Sequence, residues 1–285
     1  MSTAVLNPNP VLQSYYASLE SRIGYRLFLG GTRHYGFYPS SNSSPFPINR
    51  ALRAMEAELY NALECPRGSR VLDAGCGVGH VALYMARTGD LRVEGIDVVE
   101  RHVIRANKNI QRAQMQASVT ARVADYHHLE NFADASFDGV YTMETLVHST
   151  NPLAVLKQFL RVLKPGGRIA LNEYDHEDLN RTPKPLADAM KKVNKYASMP
   201  ANASFDHGVL VDLLREAGFE DVELRDISQH IVPMLWLFYL IGLIPYLILS
   251  LFGLEHHFVN TMAGVESYRG RKFWRYVQVT GRKKG

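Results

Sequence analysis

The sequence predicts a doubly wound α/β fold, in which a mostly parallel β-sheet carries helices on both faces. From about residue 49 onward, apolar runs of strand length alternate with segments of helical period, the pattern that builds such a sheet. The chain of 285 residues is 46% hydrophobic, enough to bury a core, and it holds neither an internal repeat nor a low-complexity tract. These observations exclude a disordered or fibrous protein.

Seven segments have the length and apolar pattern of strands, and we expect them to form one sheet. They are 69–75, 92–99, 118–125, 137–145, 167–174, 219–228 and 273–283. Helical period predicts helices over 79–88, 100–114, 152–163 and 207–218. Pro152 suits the first turn of its helix, and Gly218 suits a C-cap.

Residues 1–48 stand apart from this alternation and are predicted to form an aromatic, helical lid. The stretch QSYYASLESRIGYRLFLGG is rich in tyrosine and helical in period, and a Ser- and Pro-rich loop over 40–47 joins it to the core. Gly30–Gly31 and Gly36 are expected to be flexible points of this lid. We therefore divide the chain into a lid and one larger domain over 49–285.

The segment 229–272 is predicted to be an apolar helical insert between the sixth and seventh strands. Its central run, 231–254, carries no charge over 24 residues and by length alone qualifies as a membrane span. The strands on either side belong to one sheet, however, and a single crossing would separate them. We therefore expect two short helices that bend at Pro245. The insert then walls an apolar pocket, dips into a membrane interface, forms a homodimer contact or is a buried helix pair.

Charge and cysteine content narrow the partners and the compartment. The net charge is +4, but seven bases and no acid lie within 269–285, which leaves 25 bases against 28 acids upstream. A basic excess confined to one end does not make the stripe that binds nucleic acid, so we expect no such partner. The two cysteines, Cys65 and Cys76, predict a reducing compartment, and the first residues lack the pattern of a secretory signal. We expect a cytoplasmic protein, with peripheral contact to an intracellular membrane left open by the insert and the basic end.

The segment VLDAGCGVGHVA, residues 71–82, is the most informative part of the chain. Its strand ends near Asp73, and Gly75, Gly77 and Gly79 allow a tight turn and close approach to a ligand before the helix starts. This GxGxG spacing, with an acid two residues before it, differs from the GxGxxG of dinucleotide-binding proteins and suits a ligand with an amino-acid moiety.

Acidic residues also end the second and third predicted strands. Asp97 lies 22 residues beyond Gly75, where a carboxylate can accept both ribose hydroxyls of an adenosine group. Asp125 and Tyr126 follow the next strand, where they suit an adenine amino group and a stacking ring. Ligands of open α/β sheets bind at these ends, so the sequence predicts one adenosine-containing ligand across three strands.

These motifs resemble those of class I S-adenosylmethionine-dependent methyltransferases, a Rossmann-like fold, over roughly residues 60–228. Three segments are further similar to the sterol and tocopherol C-methyltransferase group: YYASLESRIGYRLFLGGTRHYGFYP (15–39), YTMETLVHST (141–150) and LKPGGRIALNEY (163–174). The resemblance implies S-adenosylmethionine as cofactor and S-adenosylhomocysteine as its product. The candidate cofactor-binding residues are Asp73, Gly75, Cys76, Gly77, Gly79, Asp97, Val98, Asp125, Tyr126 and Tyr16.

Three residues are candidates for catalysis. Glu144 and His148 lie one helical turn apart after the fourth strand, so a helix there would face both toward the sulfonium. Such a pair holds a water, takes a proton or stabilises positive charge. The alternative is that Glu144 caps backbone amides and His148 packs against the lid. Glu173, beside Tyr174 at the end of the fifth strand, is the third candidate.

Five tyrosines of the lid are candidates for lining an acceptor pocket and shielding a cationic transition state. They are Tyr15, Tyr16, Tyr25, Tyr35 and Tyr38. No metal is expected, because the adjacent histidine pairs at 127–128 and 256–257 have no acids or cysteines at ligand spacing.

The expected reaction is methyl transfer to a hydrophobic small molecule, either a sterol-, terpenoid- or other lipid-like compound or a secondary metabolite. The subgroup resemblance favours carbon slightly over nitrogen or oxygen as the methylated atom. Because the sulfonium is already activated, the protein would align the reactants, exclude water and supply a base where the acceptor carries a proton. Two alternatives stay open. The first is a cyclisation or rearrangement that uses the sulfonium as a fixed charge, and the second is a non-catalytic lipid-binding or membrane-docking protein.

Overall fold

The computed structural model describes residues 9–285, so the part of the predicted lid over 1–8 lies outside the described residues. The described helices are Pro10–Ala17 (α1), Leu19–Leu29 (α2), Ile48–Leu63 (α3), His80–Gly89 (α4), Glu100–Arg112 (α5), Pro152–Val162 (α6), Lys184–Tyr196 (α7), Val209–Ala217 (α8), Val232–Leu251 (α9) and Val259–Arg269 (α10). The described strands are Arg70–Ala74 (β1), Arg92–Asp97 (β2), Val119–Val123 (β3), Phe137–Met143 (β4), Leu163–His176 (β5), Phe219–Asp226 (β6) and Trp274–Lys283 (β7).

The seven strands form one sheet in the order β3-β2-β1-β4-β5-β7-β6. The strands β1 to β5 pair in parallel, and β7 runs antiparallel between β5 and β6. The strand order reverses between β1 and β4, and the carboxyl ends at such a switch point are where open α/β sheets bind ligands. The predicted Rossmann-like, doubly wound sheet of seven strands is confirmed.

Apolar side chains cover both faces of this sheet. One cluster contains Phe137, Phe159 and Phe205, and the other contains Met55 and Tyr276, all of them fully or almost fully buried. A sheet covered on both faces explains why its central strands read as nearly continuous apolar runs. The sheet therefore serves as a rigid platform for the loops at its carboxyl edge.

Two strand ends differ from the sequence expectation. The KPGG stretch, expected as a turn, lies inside β5, where the pairing with β4 shifts between Phe137 and Gly139 to accommodate the extra residues. The strand β4 ends at Met143 rather than at residue 145, because Glu144 adopts a left-handed conformation with φ of 59°. In addition, α7 lies in a stretch to which sequence patterning assigned no element.

The insert between β6 and β7 consists of α9 and α10. The expected break at Pro245 is wrong: α9 is one helix of 20 residues with Pro245 inside it. This proline lies on an exposed part of the helix, where water can satisfy the backbone carbonyl that its ring leaves free. Small residues let α10 approach closely, because a Cβ at Gly242 would lie 3.1 Å from Val265 and one at Gly264 would lie 3.2 Å from Phe238.

The described part of the predicted lid is tied to this insert. The Glu20 carboxylate of α2 accepts hydrogen bonds from the backbone N–H of Asn260 (2.9 Å) and Thr261 (2.6 Å), and so caps the first turn of α10. Gly36 is a packing residue rather than a flexible point, since a Cβ there would lie 2.6 Å from the Cβ of Ala51. The segment thus closes over the sheet edge and packs against α9 and α10.

Candidate active site

Two adjoining cavities lie at the carboxyl edge of the sheet. The larger, which we call the acceptor cavity, has a volume of about 1100 Å³ and lies between the N-terminal helices, α7, α9, α10 and the ends of β5 and β7. The smaller, which we call the cofactor cavity, has about 70 Å³ and surrounds the glycine turn. Arg33, His34 and Glu144 line both cavities and mark their junction.

The glycine turn shapes one wall of the cofactor cavity. Gly75 has φ of 109°, and a Cβ there would lie 2.7 Å from the hydroxyl of Thr145, so no larger residue fits. Gly77 has φ of 52° and would place a Cβ where no protein atom lies within 4 Å. The turn therefore leaves open space beside the backbone, as a close-lying ligand requires.

Asp73 is a buried carboxyl beside the cofactor cavity, and the Tyr141 hydroxyl is its nearest polar neighbour in the core. Its Oδ2 is buried without a hydrogen-bond partner, and the residue lines the cofactor cavity. Burial raises the pKa of this carboxyl to about 7. A ligand that brings an ammonium group or another donor would satisfy this oxygen, which fits the amino-acid moiety of S-adenosylmethionine.

Asp97 is held ionised at the end of β2. Its oxygens accept hydrogen bonds from the backbone N–H of Gly77 (2.9 Å) and Val99 (2.8 Å), and His102 lies 3.4 Å away. Burial alone would raise the pKa of Asp97, but His102 and the two backbone donors outweigh it and leave the pKa below its ordinary value. A charged carboxylate at this edge is the acceptor that ribose hydroxyls need.

The N-terminal segment reaches into the cofactor cavity. Arg33 Nη1 donates to His102 Nε2 at 2.7 Å, and the guanidinium lies 4.8 Å over the ring of Tyr16. Tyr16 in turn meets the ring of His102 edge-on at 4.7 Å. The remaining volume has room for only a few water molecules, whereas cofactor sites typically measure about 300–1,000 Å³. Binding of an adenosine cofactor therefore requires side chains that fill this cavity, such as that of Tyr16, to move aside.

Three predicted cofactor residues, Asp125, Tyr126 and Val98, lie beside the cavity rather than along it. Asp125 accepts hydrogen bonds from the backbone and side chain of His127 at 2.9 and 2.6 Å. Tyr126 donates to the carbonyl of Thr145 at 3.0 Å, and the Val98 carbonyl accepts from Gln13 at 3.1 Å. Gly79 and Cys76 belong to the glycine turn, and Cys76 lines the cavity with Asp73, Gly75, Gly77, Asp97 and Tyr16. The role of all these residues in cofactor binding stays a prediction.

Glu144 is the acidic group at the junction. Its Oε1 accepts from the Tyr35 backbone N–H (2.9 Å) and the Tyr276 hydroxyl (2.7 Å), and its Oε2 accepts from the Tyr174 hydroxyl. The rings of Tyr35, Tyr174 and Tyr276 meet edge-on around it. Burial raises the pKa of Glu144, although these donors offset part of the effect. Its carboxylate holds the N-terminal segment, β5 and β7 together.

His148 does not join Glu144, because no helical turn connects them. After the left-handed Glu144 the chain forms only a short 3₁₀ turn, Leu146–His148. His148 Nδ1 donates to the carbonyl of Ser198 at 2.8 Å, which fixes Nε2 as the acceptor of the Tyr16 hydroxyl at 3.1 Å. Burial lowers its pKa, so the ring is neutral. His148 lines neither described cavity and instead supports Tyr16 from behind.

Glu173 is a positioning residue in this structure. Its Oε1 accepts from the Thr142 hydroxyl (2.9 Å) and from the backbone N–H of Thr145 (3.0 Å) and Leu146 (2.7 Å). The residue is fully buried and lines neither cavity, so the expected contact with an acceptor is not what the geometry provides. It fixes the turn that carries Glu144 and Thr145.

The acceptor cavity is lined mainly by aromatic and aliphatic side chains. Tyr15, Tyr25 and Tyr35 line it as expected, but Tyr38 packs away from it and donates to the carbonyl of Pro45 at 3.0 Å. From the insert, the wall includes Leu235, Trp236, Phe238, Ile241 and Gly242. The expectation that the insert walls a pocket therefore holds for one face of α9.

Three junction or wall residues were missed by sequence reasoning: Arg33, His34 and Tyr276. Arg33 and His34 lie in a stretch that is similar to the family's lid, but no motif separates them from its other polar residues. Tyr276 follows the alternation of β7 and lies directly opposite Tyr174 of β5, but this alternation does not reveal the cavity. Within residues 9–285, no three histidine, cysteine or acidic side chains come together to hold a metal ion.

Comparison with known proteins is consistent with this arrangement. The sequence model of a protein family described as a methyltransferase domain matches residues 72–171. The chain is 44% identical over 277 residues to the S-adenosyl-L-methionine-dependent Diels-Alderase iccD of Talaromyces variabilis, covering 95% of this chain and 94% of that protein. It is 33% identical over 206 residues to an O-methyltransferase of Pyrenophora dematioidea, covering 72% of this chain and 74% of that protein.

A solved structure shares the fold. The [4+2]-cyclase SpnF superimposes with a TM-score of 0.69 at 22% identity, covering 96% of this chain and 92% of that one. None of these three matches favours carbon as a methylated atom, so the preference for C-methylation has no support from them.

Proposed function

The chain belongs to the family of class I S-adenosylmethionine-dependent methyltransferases, and on that premise we propose that it is a cyclase that binds this cofactor without consuming it. The reaction we propose is an intramolecular [4+2] cycloaddition of a hydrophobic polyene. In it, two carbon–carbon σ bonds form, three carbon–carbon π bonds become one, and no atom or proton leaves.

Likeness over the whole chain supports this proposal. The match to the Diels-Alderase leaves out only about a twentieth of the chain, so it takes in nearly all segments that line the acceptor cavity. The match to the O-methyltransferase leaves out more than a quarter. Because the cavity is built from residues as far apart as Tyr15 and Tyr276, coverage of both chain ends matters for what the cavity binds.

The observation that carries the proposal is that the groups lining both cavities, Arg33, His34 and Glu144, are all hydrogen-bonded within the protein, and that the His207–Asp175 pair lines the acceptor cavity but not the cofactor cavity. Both oxygens of Glu144 already accept hydrogen bonds. His34 places Nδ1 2.8 Å from the Tyr35 carbonyl and Nε2 3.4 Å from Glu56, and His148 lies outside both cavities. Methyl transfer to a hydroxyl needs a group to take its proton, whereas a cycloaddition needs none.

The residues of the acceptor cavity have two tasks in such a reaction. The aromatic wall, which includes Tyr35, Phe238 and Tyr276, confines a flexible polyene so that its reacting ends meet. The polyene then loses its conformational entropy when it binds, and this loss no longer adds to the activation barrier. Arg33, at the junction, places a cation where a carbonyl attached to the reacting alkene gains negative charge. When bound, the cofactor supplies a second fixed positive charge through its sulfonium.

A second candidate function is O-methylation of a hydrophobic small molecule, which the O-methyltransferase relative favours. In that case His207, whose Nδ1 lies 2.9 Å from Asp175 Oδ1 in the wall of the acceptor cavity, is the side chain that would take the hydroxyl proton. The expected acceptor in both cases is a hydrophobic small molecule, and sterols remain one class among several.

Incubation with tethered polyenes tests the proposal. We would use a panel that includes 1,7,9-decatrien-3-one, with and without S-adenosylmethionine, and follow loss of diene absorbance and product mass. We expect cofactor-dependent products of unchanged mass with an enriched stereoisomer. Products heavier by one CH₂, or rates equal to those without enzyme across the panel, would contradict the proposal. A methyl-transfer panel of phenols and enols under the same conditions serves as the comparison.

A further inference from the structure

The outward side of α9 exposes large apolar side chains along its length. Leu240, Ile244, Leu247 and Leu251 recur at spacings of three and four, so they form one stripe on the helix. Ile244 is 69% and Leu251 is 80% exposed, and Ile248 lies beside them, also exposed. No described part of the chain covers this stripe. A contiguous apolar surface of this kind marks a site of contact with another molecule or a membrane.

The helix is long enough to cross a membrane, but the sheet forbids a crossing. It is the one described helix of sufficient length and apolar character. The strands that flank the insert are hydrogen-bonded neighbours, with Leu224 of β6 opposite Val279 of β7. The 11 residues of α10 reach about 16 Å, half of the hydrocarbon thickness, so α10 could not bring the chain back. A membrane could meet α9 only from one side.

The acceptor cavity opens within this apolar surface. Phe28 of α2 and Trp236 and Ile241 of α9 line the cavity and are also 43–46% exposed, which places them at its mouth. Leu27, next to Phe28, is 72% exposed. Exposed apolar side chains of α2 and α9 therefore lie where this cavity meets the outer surface.

Acidic groups near this surface are already paired. Between residues 231 and 272 the only acids in the sequence are Glu255 and Glu266. Glu255 lies 3.6 Å from the ammonium of Lys192, and the buried Glu266 accepts a 2.7 Å hydrogen bond from Arg269. The acids of the insert therefore leave no uncompensated negative charge beside the apolar stripe.

Basic groups lie near both ends of the stripe. The guanidinium of Arg271 lies 4.1 Å over the ring of Tyr268, which is 4.9 Å from the ring of Tyr239 in the first half of α9. At the other end, α7 meets the turn Glu255–His257 through Lys192, which pairs with Glu255, and through Tyr196, and it carries two further exposed lysines, Lys191 and Lys195. Two aromatic rings and flanking cations around an apolar helix face are the features of a helix that rests in a membrane interface.

We propose that this docking face seats α9 in the plane of an anionic phospholipid bilayer, with the mouth of the acceptor cavity turned toward the lipid. We define the docking face as Leu240, Ile244, Leu247, Ile248, Leu251 and Phe252. Anionic headgroups neutralise the cations at both ends, whereas a second copy packed antiparallel on the same face would bring these cations together. The docking is independent of whether the reaction is cyclisation or methyl transfer. It gives an apolar substrate a direct route from lipid to cavity.

Vesicle flotation of the full chain tests the docking face. The vesicles are phosphatidylcholine alone or phosphatidylcholine with phosphatidylserine, at low and high salt. The test variant is the double substitution Ile244→Asp and Leu251→Asp, neither of which lines a cavity. The control is Ile104→Asp, at an exposed isoleucine (50%) on α5 outside the insert, and Ile244→Asp alone is compared with it so that both proteins gain one negative charge. Thermal unfolding and cofactor titration report whether each variant is folded.

We expect the wild type and Ile104→Asp to float with the anionic vesicles, to bind severalfold less at high salt, and to be removed by carbonate. The double variant should bind the anionic vesicles at least about tenfold more weakly than the wild type, while its affinity for the cofactor is unchanged. Absence of vesicle binding by the wild type, or equal binding by the double variant, would overturn the proposal. Carbonate-resistant integration would show a span instead. A dimer in light scattering that the double variant dissolves would show that a second copy covers the face.

Discussion

Glu173 gives the sharpest quantitative prediction, because its single buried carboxyl group has a defined set of partners. Three donors converge on Oε1, and Oε2 is buried without a partner. Burial raises the pKa of Glu173 from 4.5 to about 7. Glu173→Gln keeps the shape and the accepting oxygen but removes the charge, so it resembles the protonated residue at every pH.

The sign and size of the effect follow from proton linkage. Between pH 4.5 and about 7 the unfolded chain has released this proton while the folded chain still holds it, so the free energy of unfolding falls as the pH rises. Each pH unit of that window is worth about 1.4 kcal/mol, which gives a total loss of about 3 kcal/mol at pH 8. The Gln variant lacks this loss. Its free energy of unfolding, relative to the wild type, should rise by up to about 3 kcal/mol, or roughly 6–12 °C in Tm, between pH 4.5 and pH 8.

Urea unfolding of both proteins at several pH values between 4.5 and 8 is the assay. Acids that do not interact with Glu173, such as Asp73, are present in both proteins and cancel in the difference, whereas Glu144, whose charge helps to raise the pKa of Glu173, contributes a coupling to it. Glu216→Gln, at an exposed position on α8, is the control, because water solvates its charge in the folded and unfolded chain alike. A difference between Glu173→Gln and the wild type that stays constant over this range would refute the reasoning, since it would mean that the folded protein holds Glu173 in one protonation state throughout.

Two further predictions concern the cavities. Asp97→Ala removes the carboxylate that we expect to bind the ribose. Loss of two charge-assisted hydrogen bonds, about 1.5–3 kcal/mol, should weaken S-adenosylmethionine binding about tenfold to a hundredfold in titration calorimetry. Unchanged affinity would show that Asp97 does not bind the cofactor. Phe238→Asp places a charge in the apolar wall of the acceptor cavity. It should raise the KM for a polyene about tenfold or more in steady-state kinetics while cofactor affinity is preserved. A KM equal to that of the wild type would show that the substrate does not reach this wall. Leu237 and Leu240 of the same helix do not line the cavity, so substitution there would not probe this wall.

Local sequence signals predicted most of the sheet and the glycine turn. Alternation of apolar and polar residues is a property of each strand by itself, and glycines at 75, 77 and 79 are needed wherever the backbone takes a positive φ beside a ligand. The same signals failed at Pro245, because they do not reveal that this proline lies on a solvent-facing side of α9.

The junction between the cavities depends on tertiary contacts that no local pattern contains. The donors to Glu144 come from Tyr35, Tyr174 and Tyr276, which are distant in sequence. Sequence spacing suggested that Glu144 pairs with His148, but the left-handed backbone at Glu144 turns the two side chains to different neighbours. Glu173 looked equivalent to Glu144 as an acid at a strand end, and only the packing of β5 distinguishes a buried positioning group from one that faces a cavity.

The fate of the cofactor tests the central claim most directly. With S-adenosylmethionine that carries a radiolabelled methyl group, and a polyene that the protein converts, we would measure label in the product and S-adenosylhomocysteine formed per product molecule. The account predicts many turnovers with an unlabelled product and no S-adenosylhomocysteine above the enzyme-free control, while omission of the cofactor stops the reaction. One labelled methyl group and one S-adenosylhomocysteine per product molecule would contradict it and establish methyl transfer.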